Sequence, residues 1–250
     1  MLAQKYRMVP EIIRNGVTNI INYLPVRGKK KGYKIRRWIK RFNSFANLPL
    51  EKSYMKSYSY YSDKELKSLF VEKYHVGINY INNEHEKVFN EKFTNDPVNQ
   101  ICNTDIQMFM LGLNLFYTDR ASMAASVEVR VPFVDKNVIE FAMKIPGKYK
   151  YQNGVSKYIL KKAAEGIIPK KIIYRKKASF GAPIRAWVSN DLRDMIDDLL
   201  SEKNIVKRGF FNYEFVKRII EDDRDGKSDN AYRIYQLLTI ELWCREYLDK

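Results

Sequence analysis

The stretch from Tyr117 to Asp135 reads Y-T-D-R-A-S-M-A-A-S-V-E-V-R-V-P-F-V-D. It sets Asp119, Arg120, Glu128, Arg130 and Asp135 among small and β-branched residues. Charges in such company must be paired with one another or face a cleft. Two readings are open: a buried Asp/Arg/Glu/Arg ion-pair network, or a site. Ala121, Ala124, Ala125 and Ser126 leave room for close backbone approach. Ser126 to Val134 alternates apolar and polar residues and is the best strand candidate in the chain. Upstream, Val98 to Asp119 is rich in apolar residues and predicts a buried helix of several turns, broken near Gly112. Downstream, Lys136 to Met143 predicts a helix stopped by Pro146-Gly147.

A second stretch, Ile173 to Pro183, reads I-Y-R-K-K-A-S-F-G-A-P. Arg175, Lys176 and Lys177 precede a Ser/Gly/Pro loop. Cations on such a loop suit a phosphate that gains charge during reaction. A solvated basic loop is the other reading.

Outward from these stretches the pattern is helical. Val9 to Leu24 carries apolar residues at helical spacing, and Pro25, Gly28 and Gly32 mark a loop. A short helix is predicted from Tyr33 to Phe45. Ser62-Asp-Lys-Glu65 has the form of a capping box opening a helix through Leu66, Leu69 and Phe70. Further helices are predicted around Asn79–Asn95, Ser156–Glu165, Pro169–Arg175 and Asn190–Ser201. Asn212 caps another through Ile220. The last, Ser228 to Leu248, is expected to bury Ala231, Ile234, Tyr235, Leu238 and Leu242. The expected fold class is mainly α.

The 250 residues carry 45 Lys+Arg against 29 Asp+Glu, a formal charge of +16. The excess is concentrated in two segments. Residues 1–42 hold twelve basic residues and one acid, and residues 144–177 hold eleven and one. Such segments suggest contact with an anion: nucleic acid, a phosphate ligand or an acidic protein. The densest run is Arg27 to Arg41, which equally fits a solvated face. A hydrophobic share of 45% excludes global disorder. No apolar run reaches membrane-spanning length, and the N-terminus lacks the apolar core of a signal peptide. A soluble, cytoplasmic protein is expected. Cys102 and Cys244 form no CxxC pattern, and with only His75 and His85 beside them no metal site is predicted.

Three blocks carry a resemblance: Asp119–Asp135 (DRASMAASVEVRVPFVD), Gly154–Pro183 (GVSKYILKKAAEGIIPKKIIYRKKASFGAP) and Glu241–Leu248 (ELWCREYL). In order and spacing they resemble the C-terminal part of the asparagine synthetase family. The match runs from residue 97 to the end. Residues 1–96, basic over 1–42, are similar more loosely to the variable helical region that follows the family's nucleotide-binding core.

The resemblance implies the helical C-terminal portion of an α/β ATP pyrophosphatase domain, a parallel sheet wrapped by helices. It implies adenylation of the aspartate side chain by ATP. Ammonia, free or derived from glutamine, then attacks the adenylate, and AMP and pyrophosphate are released. By motif, Lys177 matches the lysine of the family's R-x-K loop, which steadies pyrophosphate and the developing charge. Lys157, in V-S-K-Y-I-L, matches a phosphate-reaching lysine. Glu128, in E-x-R-x-P-F, matches a member of the catalytic base pair of β-lactam synthetases, or a substrate-orienting acid in asparagine-forming enzymes. Asp119, Arg120 and Arg130 frame the pocket, and Arg175 is either a phosphate contact or an anchor.

The family's S-G-G-x-D-S phosphate loop and its G-x-D-E-x-F-G-G-Y block, both tied to Mg²⁺, do not occur in these 250 residues. Nor does a glutaminase nucleophile at position 2, which is Leu. The expectation is therefore a truncated or split synthetase. It lacks most of the parallel sheet, is inactive alone, and retains neither ATP nor Mg²⁺ by itself. An N-terminal partner chain or a dimer would complete it. A basic helical nucleic-acid-binding or scaffold protein is the alternative, with nucleic acid the less favoured partner.

Overall fold

The computed structural model describes residues 6–22, 33–91, 94–176 and 181–250. The loop expected at Pro25, Gly28 and Gly32, and the Arg27–Lys31 part of the basic run, lie outside the described residues. The helices in order are α1 (Glu11–Asn22), α2 (Tyr33–Ala46), α3 (Leu50–Tyr58), α4 (Asp63–Leu69), α5 (Tyr80–Phe89) and α6 (Pro97–Thr104). A π-wound segment, Asp105–Leu115, leads into α7 (Phe116–Ala124), α8 (Lys136–Lys144) and the single turn α9 (Gly147–Lys150). Strands β1 (Tyr151–Gln152) and β2 (Val155–Ser156) follow, then α10 (Tyr158–Ala163) and α11 (Lys170–Ile173). The chain closes with α12 (Ile184–Ser189), α13 (Arg193–Leu199), α14 (Glu202–Arg208), α15 (Tyr213–Arg224) and α16 (Ala231–Tyr247). The protein is mainly helical, as the spacing predicts. No helix among the described residues is long and apolar enough to cross a membrane.

Residues of 1–80 and 181–250 form one compact unit, and residues of 81–180 form another. The core of the first unit is built on α16. Ala231, Ile234, Leu237 and Leu238 recur at helical spacing and pack with Ile184 and Val188 of α12, Ile196 and Leu199 of α13, and Val216 and Ile219 of α15. Leu242, expected in this stripe, is exposed, and Tyr235 is half-buried at the core's edge. The buried line continues instead through Glu241 and Cys244. Burial by itself opposes ionisation of Glu241. The forks of Arg208 (3.0 and 3.2 Å) and Arg245 (2.9 Å) outweigh it and hold the carboxyl below its ordinary value.

The capping box is present as predicted. The Glu65 amide donates to Ser62 Oγ at 3.3 Å, and the Ser62 amide donates to Glu65 Oε2 at 2.7 Å. Asn212 caps α15 through the Phe215 amide at 3.2 Å, while its own amide donates to the Leu69 carbonyl at 2.7 Å. With Val71 N–H donating to Phe210 O (3.1 Å), this ties the early and late parts of the unit together.

Three expectations fail, each for a physical reason. Ser126 to Val134 is not a strand. Ser126 takes a left-handed φ of 57°, the segment stays irregular, and Pro132–Val134 forms a 3₁₀ turn. A strand needs a neighbour for its N–H and C=O groups, and among the described residues the sheet consists of β1 and β2 alone. The helix through Gly112 is not broken there; it continues as the π-wound segment into α7. It is also not buried, since Phe109, Leu111, Leu113 and Phe116 are all exposed. Its apolar residues occupy every side, so one packed face leaves the others outward. The apolar stripe of α1 behaves likewise: Ile21 is buried but Ile12, Ile13 and Ile20 are exposed.

Candidate functional site

The described candidate site residues, Asp119, Arg120, Glu128, Arg130, Lys157 and Arg175, lie in the 81–180 unit. Asp119 and Arg120 sit on α7 and are both exposed, with the Arg120 guanidinium 5.2 Å from the Phe116 ring centre. Glu128 and Arg130 pair at 2.9 Å in the irregular segment that follows, with 65% and 83% of their side chains exposed. The buried four-charge network is therefore corrected. The structure pairs Glu128 with Arg130 in solvent, and Asp119 makes no ion pair with any described residue. A pair so exposed adds little stability, at most ~1 kcal/mol. Nothing in the ion pair itself accounts for these residues as scaffold. Asp135 has a structural duty instead, capping α8 through the amides of Asn137 (2.9 Å) and Val138 (3.3 Å).

The second block starts on a hairpin. Asn153 (φ 49°) and Gly154 (φ 82°) turn β1 into β2, the Asn-Gly turn that matches strand twist. Lys157 then takes a left-handed φ of 56° immediately before α10 and is exposed. Among the described residues the non-glycine left-handed positions are Ser126, Asn153 and Lys157. Asn153 is explained by its turn; the other two fall in the two motif blocks. Such backbone costs on the order of 1 kcal/mol or more and tends to collect at functional sites. Arg175 follows α11 and is exposed. Lys177 lies outside the described residues.

A bracket that the motifs do not contain holds this unit in shape. Asp96 caps α6 by accepting from the amides of Val98 (2.9 Å) and Asn99 (3.3 Å). Its other oxygen accepts from the Gly147 amide at 2.6 Å. Buried Asn99 donates to the carbonyls of Met143 and Ile145, each at 3.2 Å, and accepts from Lys150 Nζ. The end of α8 and the turn α9 are thus fixed to the start of α6. The Asp96-Pro97 pair, a cap followed by proline at the first helical position, was the available sequence signal for half of this bracket. Its long-range half, Gly147 and Lys150, had none. Lys150, a cation of the 144–177 segment, thus points at fixed structure.

Two hollows flank the bracket. One of about 650 Å³ is lined by Asp96, Asn99, Asn103, Glu140 and Lys144. A second, of about 290 Å³, brings Phe133 of the first motif block to Cys102, Asp105, Met110 and Lys150. Burial pushes the Cys102 thiol up and the Lys150 ammonium down, the latter offset in part by Cys102 and Asp96. Burial works against ionisation of Asp96. The three amides and the Lys150 charge outweigh it and hold the carboxyl below its ordinary value.

The sign of the pH dependence follows. A depressed carboxyl stabilises the fold above its unfolded pKa, and that contribution is lost as pH falls through the lowered folded value. The amides of α6 are expected to lose hydrogen-exchange protection on acidification below the ordinary aspartate range. In Asp96→Asn that acid sensitivity is expected to disappear from α6; equal sensitivity in the variant would remove Asp96 as its cause.

A sequence model of the asparagine synthase family matches residues 23–245 of this chain. The chain belongs to the asparagine synthase family. The protein of Bacillus subtilis (strain 168) named asparagine synthetase [glutamine-hydrolyzing] 1 is 36% identical over 155 residues, covering 62% of this chain and 24% of its own length. A putative asparagine synthetase [glutamine-hydrolyzing] of Mycobacterium bovis is 30% identical over 149 residues, 59% of this chain and 22% of its own. The Gallus gallus asparagine synthetase [glutamine-hydrolyzing] is 32% identical over 102 residues, 37% and 18% of the respective chains. The chain spans about a quarter of the length of the curated relatives it matches. No solved structure gives a significant match. Membership of the asparagine synthase family therefore rests on sequence, and the geometry above is this chain's own.

Proposed function

We propose that this chain contributes to an asparagine synthetase-type ligase reaction, the ATP-dependent amidation of aspartate through an acyl-adenylate. The observation that carries this reading is the family match over residues 23–245. An oxygen of the aspartate side-chain carboxylate bonds to the α-phosphorus of ATP as the bond to pyrophosphate breaks. Ammonia, free or released from glutamine, then bonds to the acyl carbon as the carbon–oxygen bond to AMP breaks. The nitrogen sheds its extra proton to a base. The fold proposed for this chemistry is the helical part of an ATP pyrophosphatase domain, completed by an N-terminal chain portion or a second copy.

In this reading Lys177 meets the charge that builds on the departing pyrophosphate, where a fixed cation lowers the barrier. Lys157 and Arg175 contact phosphate. Glu128 orients the substrate or takes the proton, with Arg130 at 2.9 Å setting its direction. Asp119 and Arg120 frame the pocket. The family chemistry includes Mg²⁺. Among the described residues no three His, Cys, Asp or Glu side chains gather as ligands.

The test uses the full chain with the phosphate-loop portion of the Bacillus subtilis relative supplied in trans. With ATP, aspartate and ammonia, pyrophosphate and asparagine are expected in equal amounts, and neither without aspartate. Absence of aspartate-dependent pyrophosphate release in the completed mixture, under conditions where the intact relative is active, would contradict the reading.

A further inference from the structure

The unit of residues 1–80 and 181–250 carries a concavity whose charge is far out of balance. A cleft of about 590 Å³ is bounded by α2, α3, the Ser59–Tyr60 turn and the segment leading from α15 into α16. Seven cationic side chains line it against two carboxylates. Arg37, Lys40 and Arg41 come from α2 and Lys56 from α3. The rest, Arg185, Lys227 and Arg233, come from the far end of the sequence.

Both carboxylates are already engaged. Asp229 is shared by Arg185 (2.9 Å) and Arg37 (3.3 Å). Glu65 holds Arg233 at 2.8 Å with one oxygen and accepts from the Ser62 amide with the other. Lys227 finds Asp225 at 2.7 Å outside the lining. Discounting it still leaves six cations facing two acids.

The cations are also held in place. The guanidinium of Arg41 lies 5.1 Å from the Tyr60 ring centre, and that of Arg185 lies 4.9 Å from Tyr232. These two rings stack on one another, 5.5 Å apart and 10° from parallel. Arg41 is further anchored by donating twice to the Ser57 carbonyl, at 3.1 and 2.7 Å. Burial draws the Lys40 ammonium down, the response of a cation short of water.

Like charges gathered in a concavity repel and raise the local potential, which a multivalent anion relieves. Planar guanidinium groups on fixed rings present forks matched to phosphate oxygens. Three of the cations share one face of α2, and the other four converge on the same hollow from separate segments, which favours a compact ligand over an extended strand. We infer that this cleft binds a small polyphosphate anion, one carrying two or more linked phosphates. Nucleoside triphosphates and inorganic polyphosphate both supply that chemistry. The inference is independent of the ligase reading, because no motif residue lines the cleft.

The test is calorimetric titration of the full chain with inorganic tripolyphosphate, at low salt and at physiological salt. A saturable site is expected, weakening with salt and producing a ligand-dependent rise in melting temperature. The lysines are the positions to change, because Arg37, Arg185 and Arg233 anchor the carboxylates of the cleft and Arg41 is tied to the Ser57 carbonyl. Lys40→Gln/Lys56→Gln is expected to lower affinity at least about tenfold, the factor for one lost charge-assisted bond. Lys227→Glu, at an exposed position, keeps the test decisive if the double variant melts early. Lys203→Gln on α14, away from the cleft, is expected to change nothing. An ATP arm separates the sources: tighter binding than tripolyphosphate assigns the nucleotide, weaker binding the inorganic chain, and either supports the inference. It is overturned if tripolyphosphate binds equally well to wild type and cleft variants. It is also overturned if tripolyphosphate shows no saturable binding to the wild-type chain at low salt, and saturation by a single-stranded RNA oligonucleotide in that case would assign the cleft to nucleic acid.

Discussion

Gly147→Ala is expected to destabilise the 81–180 unit by about 3 kcal/mol, beyond ordinary overpacking because it also disrupts a polar bracket. A Cβ there would stand 2.3 Å from a carboxylate oxygen of Asp96 and 2.6 Å from Cβ of Val98. Neither neighbour is the far end of a flexible side chain. Asp96 is held by three amides, and Val98 belongs to the first turn of α6. Relief of the clash therefore means breaking the Gly147–Asp96 bond, the α6 cap, or both. A urea midpoint followed by probes in this unit measures the effect. Asp96→Ala should approach the same loss, because it removes the cap and strands the Gly147 amide. A wild-type midpoint in Gly147→Ala would show that the bracket carries no stability.

The second large effect concerns chemistry. Lys177→Ala is expected to lower kcat for aspartate-dependent pyrophosphate release by about 10²–10³-fold, the usual consequence of deleting one preorganised partner of transition-state charge. KM for ATP should change much less, because in the role proposed for Lys177 the charge it meets grows as the bond to pyrophosphate breaks. Lys177→Arg keeps the charge but moves it, so partial activity is expected. The melting temperature should be unchanged in both variants, which separates a reacting role from a folding one.

What could be read from the residues was local. Ser62 and Glu65 announce a capping box because both halves lie within one helical turn. Asn212 announces its helix for the same reason. The buried line of α16 was legible at Ala231, Ile234 and Leu238, but not at Leu237 or beyond Leu238. At Glu241 the stripe turns polar, and only Arg208 and Arg245 make a buried carboxylate tolerable there. Periodicity assigns Leu242 inward because it cannot foresee that pairing.

What escaped depends on distant partners. The alternation of Ser126–Val134 is real, but no neighbouring strand among the described residues completes it. The apolar run through Leu115 signals a helix correctly, yet apolar content does not say how many sides find cover. The bracket joining Asp96 to Gly147 and the cleft joining α2 to Asp229 link segments far apart in the chain, and local pattern does not show which distant segments meet. The first basic segment illustrates the point. As sequence it reads as a solvated face or an anion contact; in the fold, its Arg37, Lys40 and Arg41 line a hollow shared with Arg185 and Arg233. For the motif residues the situation is reversed. The roles proposed for them come from the family resemblance, and the structure adds the Glu128–Arg130 pair and the left-handed backbone at Ser126 and Lys157.

The most direct measurement is aspartate-dependent pyrophosphate release by the completed enzyme, wild type against Lys177→Ala, with both chains folded to the same melting temperature. A drop in kcat of about 10² or more with little change in KM is the expected result. Equal turnover in the two would contradict the assignment of this chain's R-x-K loop to the adenylating step.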